Sequence, residues 1–380
     1  RPPRSTPSNS SAASDVYKRQ VVVFGSRSGI GPPGWCSPAD AADNTGNRKG
    51  AMMCEQRTTR REFLVRSGSV AAGLGLAFVS GPAGAATKAA RKPLVIACRD
   101  VHLRVAGTAD VWSAMNKIGV EGVEVWLNPD GSCPHLFGPG RRHTIASAEG
   151  LRRLEKELQA HRKRITAFCM PNRFDERPDE EIRYTQRAAR AAKQLGVPAV
   201  RIDVVARRIK DRDRFLQFAI EICKRMLDAS AETDIRFGIE NHGTTTNRPE
   251  FLEALFEGVG SDRLGLTLDT ANFYWFGHPL EELYRIYARF AKRVVHTHCK
   301  SIRYPESERN RRRPVGWKYG QYTCPVYEGD IDMGRVVKIL REAGYANDLC
   351  IENESLRKFP QAERAAVLAR EVAYLRKVAG

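Results

Sequence analysis

Residues 93–380 alternate short, strongly apolar runs with stretches of helical periodicity, and this alternation limits the fold more than any other feature. The apolar runs number eight: residues 94–98, 122–126, 165–170, 199–204, 235–240, 264–269, 294–298 and 349–352. Their nearly continuous hydrophobicity is typical of parallel strands covered on both faces. The helix-period stretches are residues 109–118, 148–161, 179–195, 211–230, 248–258, 280–291, 333–343 and 361–378. Eight βα units predict one α/β domain, a (β/α)8 barrel, which typically needs about 250 residues.

A doubly wound open sheet is the main structural alternative, because it would also alternate strands and helices. That fold usually has fewer strands and a phosphate-binding turn after the first one. The sequence IACRD at 96–100 offers no such turn. Gly119, Gly196 and Gly344 each follow a helix-period stretch, where a left-handed C-cap is expected.

Residues 1–51 are rich in Ser, Pro, Gly and Ala without sustained periodicity, so we expect an unstructured or artefactual extension. Within them, residues 21–31 resemble the glycine-rich turn of a dinucleotide-binding dehydrogenase. Such a turn must continue directly into a helix whose amides hold the pyrophosphate. Pro32 and Pro33 prevent that continuation, so a dinucleotide site is not expected.

Residues 52–85 carry the parts of a twin-arginine signal peptide in the required order. TRREFL at 59–64 resembles the export motif, a weakly hydrophobic Gly- and Ala-rich stretch follows at 68–80, and AGA at 83–85 fits a cleavage site. The glycines disfavour the alternative of an amphipathic helix within the fold. We therefore expect export to the periplasm or another extracytoplasmic space, with residues 86–380 forming the barrel.

The amino-acid composition indicates which classes of partner the chain is expected to bind. No run of eighteen apolar residues is present, so no stable membrane insertion is expected. The net charge of +18 suggests nucleic acid, but +6 of it lies in residues 1–85, and we expect no nucleic-acid partner. The seven cysteines after residue 85 contain no CxxC pair, which argues against a disulfide framework. Homo-oligomerisation is left open.

Four polar residues end four successive predicted strands, where a barrel of this kind collects its functional groups. Glu240, Asp269 and His298 follow one another at steps of 29 residues, and Glu352 comes 54 residues later. Burying three carboxylates together is costly unless a cation lies among them. Each acid alone could be a helix N-cap, but four at equivalent positions predict a metal site. Three carboxylates and one imidazole suit Mn²⁺, Mg²⁺ or Co²⁺ better than a closed structural Zn²⁺ site.

The strand-end sequences ENH at 240–242, LDTAN at 268–272, HTHCK at 296–300 and IE at 351–352 resemble the xylose isomerase-like TIM barrels. Specifically, residues 93–380 resemble the sugar phosphate isomerase/epimerase family. The resemblance implies one divalent ion on the same four ligands, with two of them, Glu240 and Glu352, also acting as acid and base. The family contains isomerases, epimerases, dehydratases, lyases and sugar-processing hydrolases, so membership does not fix the reaction.

The expected chemistry follows from two glutamates beside a Lewis-acidic ion that binds adjacent oxygens of a sugar or ketosugar. One glutamate would remove the proton α to the carbonyl and the other would return it to an enediolate. Return to the opposite face gives epimerisation, and return to the neighbouring carbon gives aldose–ketose isomerisation. The export signal favours an unphosphorylated carbohydrate, because sugar phosphates are largely cytoplasmic.

Further candidates for substrate binding lie near the strand ends: His242, Asn272, Lys300, Trp126, Glu124 and His102. Lys300 could neutralise an oxyanion or pair with a neighbouring acid, and Trp126 could stack on a sugar or pack in the core. Some epimerases of the family have His in place of Asn272. The segment 301–328 carries a run of three consecutive arginines, at 311–313, and the aromatic residues Trp317, Tyr319 and Tyr322. It is predicted to cover an acidic substrate such as a uronate, or else to be a solvated basic loop or an oligomer contact.

Three other functions remain in competition with isomerase or epimerase. The same metal site could serve a lyase, a dehydratase or a 3-keto-glycoside hydrolase. An apurinic endonuclease is disfavoured because its three zinc ions need additional His and Asp ligands, and Asn272 occupies one of those positions. A non-catalytic sugar-binding barrel would not need two glutamates placed as bases.

Overall fold

The computed structural model describes residues 92–140 and 142–380. Eight parallel strands form one sheet in the order β8-β1-β2-β3-β4-β5-β6-β7. They are β1 Val95–Arg99, β2 Gly122–Trp126, β3 Arg164–Met170, β4 Ala199–Ile202, β5 Arg236–Glu240, β6 Leu264–Asp269, β7 Val294–His298 and β8 Asp348–Ile351. The sheet closes between β7 and β8, where the Cys299 amide donates to the Cys350 carbonyl at 2.7 Å. The predicted α/β barrel is therefore confirmed.

Eight helices of at least eight residues lie in the described part of the chain and follow the strands in turn. They are α1 Val111–Ile118, α2 Ala148–His161, α3 Pro178–Leu195, α4 Arg212–Ala229, α5 Pro249–Val259, α6 Leu280–Phe290, α7 Met333–Glu342 and α8 Arg364–Ala379. Asp110 and Asp211 accept hydrogen bonds from first-turn amides and so cap α1 and α4. Gly119, Gly196 and Gly344 adopt positive φ angles of 89°, 66° and 87° after three of the helices, as predicted. None of the described helices is long and apolar enough to cross a membrane.

The main hydrophobic core lies between the helices and the outer face of the sheet. α8 shows the pattern, because it packs against β1 and β8 and buries Val367, Leu368, Val372 and Leu375. A fully buried side chain of this size contributes about 1.5–3 kcal/mol relative to an exposed one. All seven cysteines of this region are free, and six of them are buried. They therefore serve as small apolar residues rather than as a disulfide framework.

The inside of the barrel, in contrast, is strongly polar toward the carboxyl ends of the strands. His296 and His298 alternate along β7, and both imidazoles contact Glu124, which lies on β2. Side chains two residues apart on a strand share a face, so this pattern follows from the pleat. The polar interior is what positions the candidate site.

The segment after β7 is folded rather than extended. Its base is a short antiparallel ladder between Ser301–Ile302 and Thr323–Cys324, and it contains the helices Glu306–Arg309 and Tyr319–Tyr322. Two other short helices, Asp100–Leu103 and Asn272–Trp275, follow β1 and β6. Residues 1–91, with the predicted signal peptide and the glycine-rich stretch at 21–31, lie outside the described residues.

Candidate metal centre

The four predicted metal ligands converge at the carboxyl-terminal mouth of the barrel. Glu240, Asp269 and His298 are the last residues of β5, β6 and β7, and Glu352 directly follows β8. All four are buried, and one ligand atom from each lies within 4.8 Å of the others. Parallel strands end at the same edge of a barrel, which is why residues up to 112 positions apart in the chain meet here.

His298 presents one ring nitrogen to the centre of this cluster. Its Nδ1 lies 3.4 Å from Glu240 Oε1 and 3.3 Å from Glu352 Oε2, yet this buried nitrogen makes no hydrogen bond. The other nitrogen, Nε2, donates to Glu124 Oε1 at 2.8 Å. An imidazole held in this way offers a lone pair toward the carboxylates, as a metal ligand must.

Asp269 also directs an oxygen into the cluster. Its Oδ1 accepts hydrogen bonds from the amides of Ala271 and Asn272, each at 2.8 Å. Its Oδ2 is buried without a hydrogen bond, 2.7 Å from the Lys300 ammonium. Burial raises the pKa of Asp269 to about 7 although Lys300 opposes the shift. A further positive charge would therefore stabilise the ionised carboxylate.

Arginines from the first half of the barrel reach the two candidate bases. Arg99, at the end of β1, pairs with Glu352 and lies 2.6 Å from Glu124. Arg201, on β4, pairs with Glu240 and lies 2.9 Å from Asp203. Each arginine is about 5% exposed, so these are ion pairs removed from water.

The electrostatics of the cluster keep both glutamates ionised. Burial raises the pKa of Glu240, but the Arg201 guanidinium and the His298 imidazole hold it well below its usual range. Burial likewise raises the pKa of Glu352, and Lys300 and Arg99 hold it well below that range. Burial lowers the pKa of His298, but the surrounding carboxylates raise it well above its usual value. The position of this ring therefore favours positive charge.

With His298 neutral, as a metal ligand must be, the carboxylates of the cluster outnumber its arginine and lysine side chains by two. Its five carboxylates are Glu124, Asp203, Glu240, Asp269 and Glu352, and its three cationic side chains are Arg99, Arg201 and Lys300. One divalent ion at the unpaired nitrogen and oxygen atoms would balance this difference. The residues therefore fit a single divalent cation, held by Glu240, Asp269, His298 and Glu352.

The predicted substrate-binding residues occupy different layers around this centre. Asn272 donates to Glu240 Oε1 at 3.1 Å, and Lys300 bridges two predicted ligands. His242 lies farther out, with its side chain about one third exposed and its Nδ1 3.2 Å from Asp203. His102 has a buried Nε2 without a hydrogen bond, and burial lowers its pKa to about 4, so this ring is neutral.

The two candidates on β2 differ from each other. Trp126 is partly exposed at the end of the strand, where its indole donates to Asn128 Oδ1 at 3.2 Å. Glu124 is only 1% exposed and contacts Arg99, His296 and His298. These contacts place Glu124 beside His298 Nε2, on the side of the ring away from Glu240 and Glu352.

The three consecutive arginines at 311–313, in the segment 301–328, do not form one basic surface. The Arg313 side chain is buried, donates to the carbonyls of Tyr274 and His278 and stacks between the rings of Tyr274 and Tyr304. Arg312 approaches His278 Nδ1 at 2.8 Å, while Arg311 is exposed. Arg313 therefore holds the segment together rather than facing a substrate.

The same segment does reach the candidate metal centre, through a tyrosine. Tyr319 donates to Glu354 Oε2 at 2.5 Å, and Glu354 Oε1 lies 3.2 Å from Lys300 Nζ. Sequence reasoning missed Glu354, as it missed Arg99, Arg201 and Asp203. A signal existed for Arg201, because a charged residue inside an otherwise apolar strand needs a buried partner.

The chain belongs to the xylose isomerase-like TIM barrel family, to which residues 112–378 match. The inosose dehydratase of Klebsiella pneumoniae (strain 342) is 29% identical over 129 residues, which cover 33% of this chain and 42% of the dehydratase. The match therefore spans less than half of that relative's own length.

Solved structures share the barrel. A structure of the IOLI protein with a bound zinc atom has a TM-score of 0.57 and 16% identity, and the match covers 75% of this chain and 98% of that one. D-allulose 3-epimerase from Methylomonas sp., in complex with D-allulose, has a TM-score of 0.54 and 11% identity, with 75% and 97% coverage. At these identities the likeness concerns the fold.

Proposed function

We propose that the protein is a divalent-cation-dependent isomerase or epimerase that acts on an unphosphorylated carbohydrate or ketosugar. One observation carries the proposal: Glu240 and Glu352 approach the same His298 Nδ1, at 3.4 and 3.3 Å, from different strands. Neighbouring cations hold the pKa of both carboxylates well below the usual range, so both are present in the ionised form that a general base requires. The family match and the epimerase and dehydratase relatives support this class of chemistry.

The cation would be held by Glu240, Asp269, His298 and Glu352, and it would supply Lewis-acid polarisation of substrate oxygens when bound. The oxygen-rich ligand set favours Mn²⁺, Mg²⁺ or Co²⁺ over Zn²⁺. One structure of similar fold holds zinc, so Zn²⁺ belongs in any comparison of metals.

The protein's own side chains would transfer the protons and orient the groups that do so. One of the two carboxylates, Glu240 or Glu352, would remove the proton next to the substrate carbonyl and, now protonated, return it to the neighbouring carbon, which gives isomerisation. In epimerisation the second glutamate would first take up a proton from water and deliver it to the opposite face, while the first releases its proton to water. Asn272 orients Glu240 through its hydrogen bond, and the Lys300 ammonium beside Glu352 can stabilise negative charge on a substrate oxygen.

The arrangement of the cations supports an unphosphorylated substrate. Arg99, Arg201 and Lys300 are each paired with at least two carboxylates of the cluster or its rim. These three groups are therefore committed to protein acids rather than to a phosphate. Binding of a neutral polyol would not require that they change partners.

Dehydratase or other lyase chemistry is the second candidate. It is favoured by the 29% identity with an inosose dehydratase over 129 residues and by the position of Lys300. The Lys300 ammonium lies 3.1 Å from Glu352 Oε2, so an acid and a base stand side by side. A dehydratase would begin with the same proton removal as the isomerase. The substrate would then lose a hydroxyl group instead of being reprotonated. Hydrolysis of a 3-keto-glycoside would begin in the same way.

A multinuclear endonuclease site is less compatible with the structure. Asp203, Glu240 and His242 could together hold a second cation. The Arg201 guanidinium already pairs with Asp203 and Glu240 at that point. A protein side chain thus supplies the positive charge that another metal ion would bring.

The proposal can be tested by hydrogen exchange at the substrate carbon. The purified chain with Mn²⁺ is expected to exchange the proton next to the carbonyl of at least one ketosugar in D₂O, as followed by NMR. Glu240→Gln and Glu352→Gln should lower the rate by 10²-fold or more, a typical loss for a general base. Glu149→Gln, at an exposed glutamate of α2, should leave the rate unchanged.

The identity of the product separates the candidates. An epimer or an isomer supports the first proposal, and an unsaturated product supports the dehydratase. A broad panel of ketosugars and inososes that shows neither exchange nor turnover would reject both.

A further inference from the structure

Glu124 occupies an unusual position for a residue expected to contact substrate. It is the third residue of β2, and its carboxylate points into the barrel beneath the cluster of predicted ligands. Its Oε1 lies 2.8 Å from His298 Nε2 and 3.1 Å from His296 Nε2, and its Oε2 lies 2.6 Å from Arg99 Nε. Both oxygens are engaged by protein groups, and the side chain is 1% exposed.

The contact with His298 decides which ring nitrogen can bind a cation. A carboxylate oxygen accepts a hydrogen bond, so the nitrogen that faces Glu124 carries the proton. In the neutral ring the lone pair is then on Nδ1, the nitrogen that faces Glu240 and Glu352 without a hydrogen bond. The reverse arrangement would aim a proton at the place where the cation must lie.

A second row of contacts holds Glu124 itself. His296 shares Oε1 of Glu124 with His298, and its other nitrogen lies 2.9 Å from Asp348 Oδ2. Tyr345 donates to Asp348 Oδ1 at 2.8 Å. The chain from Tyr345 to His298 is buried throughout, and each link restricts the rotation of the next.

We propose that Glu124 is a positioning residue that orients His298 toward the cation and that it does not touch the substrate. The inference rests on the proposed function only in requiring that the centre binds a divalent ion. A carboxylate behind a metal-bound histidine usually raises metal affinity, and its loss typically weakens binding by about 10–100-fold.

Metal affinity tests the proposal without a substrate. Calorimetric titration of the full chain with Mn²⁺ at constant pH is expected to give a dissociation constant about 10–100-fold higher for Glu124→Gln than for the native chain. Glu181→Gln is the matched control, because Glu181 is equally buried but pairs with Arg177, just before α3, and with Asn172, after β3. Its affinity for Mn²⁺ should not change.

Two negative results of this titration have different meanings. If the native chain binds no divalent ion, the proposed function fails together with the inference. If the native chain binds Mn²⁺ and Glu124→Gln binds it equally well, only the inference is overturned. Thermal unfolding of the metal-free proteins shows whether each variant is folded.

Two further measurements separate positioning from a general structural role. In the Mg²⁺-loaded native chain, NMR should show a slowly exchanging proton on His298 Nε2, and its absence would overturn the inference even if no variant folds. In turnover assays, the activity of Glu124→Gln should recover at high metal concentration with an unchanged KM for the substrate. A raised KM that persists at saturating metal would instead mean that Glu124 contacts the substrate.

Discussion

Arg201 supplies the buried positive charge that faces two carboxylates of the cluster. Its guanidinium pairs with Glu240 and Asp203 and also donates to the Met170 carbonyl at 3.0 Å. Removing one partner from a buried ion pair leaves the other charge without compensation, which typically costs about 3–5 kcal/mol. The residue should therefore matter for stability even before any metal binds.

Arg201→Met is expected to lower the unfolding free energy of the metal-free chain by about 3–5 kcal/mol, because Glu240 and Asp203 would lose their buried counter-charge. Urea unfolding in the presence of EDTA measures this loss. Arg225→Met provides the comparison, since Arg225 and its partner Asp179 are both largely exposed. A loss no larger than that of Arg225→Met would contradict the explanation.

The convergence of the four predicted ligands could be foreseen because each is a polar residue at the end of an apolar run, and because strand ends meet in a barrel. Their counter-charges were harder to see. Arg99 directly follows a predicted strand, but a single arginine carries no indication of which acid it will face. Glu124 was expected to touch substrate because it lies near the end of β2. The register that places its carboxylate behind His298 depends on contacts between distant strands.

The segment 301–328 and helix α8 are joined by one buried glutamate. Glu371 of α8 accepts a hydrogen bond from the Val326 amide at 2.9 Å and another from Asn353 Nδ2 at 2.8 Å. It thereby ties the end of the segment to the turn after β8, next to the metal centre. Burial raises the pKa of Glu371 to about 7, and the nearby Glu328 adds to the shift.

This shift predicts a pH-dependent contribution to stability. The pKa of Glu371 is higher in the folded state than in the unfolded state, so the folded chain gains a proton first as the pH falls. Stability from this group is therefore lowest above pH 7 and increases as the pH falls toward about 4.5, the ordinary range of a glutamate. Between pH 8 and pH 5 the gain should be about 2–3 kcal/mol.

Glu371→Gln is expected to remove that gain, because an amide does not titrate. The difference in unfolding free energy between the native chain and the variant should be about 2–3 kcal/mol larger at pH 5 than at pH 8. Urea unfolding at the two pH values measures it, and other titrating groups cancel in the comparison. An identical difference at both pH values would show that Glu371 is ionised or neutral throughout.

All sixteen predicted strands and helices of the barrel were found, and their boundaries moved by only a few residues. The fourth strand was expected to reach residue 204 but ends at Ile202, and Asp203 just beyond it lies beside Arg201 and His242. The internal structure of 301–328 was not predicted. Its stacked Trp317 and Tyr322 rings and the enclosed Arg313 depend on tertiary contacts rather than on periodicity.

At the scale of the whole protein, the prediction concerns its export. It rests on residues 52–85, which lie outside the described residues. We expect Arg60→Lys together with Arg61→Lys to stop export of a chain that begins at Met52, because the export machinery reads the arginine pair. Cell fractionation measures the effect, and N-terminal sequencing of the exported form should begin at residue 86. Arg57→Lys should be exported normally. Equal export of the double variant and the native chain would refute the signal.

Two buried arginines and the glutamates that they pair with come from different halves of the barrel. This limits how such a protein can be rebuilt by recombination. The first four strands bring Arg99 and Arg201, and the last four bring the ligands Glu240 and Glu352 that these arginines neutralise. A chimera that joined this second half to a foreign first half without equivalent arginines would leave Glu240 without its guanidinium partner and Glu352 with Lys300 alone. The two halves therefore have to be inherited, or engineered, as a matched pair.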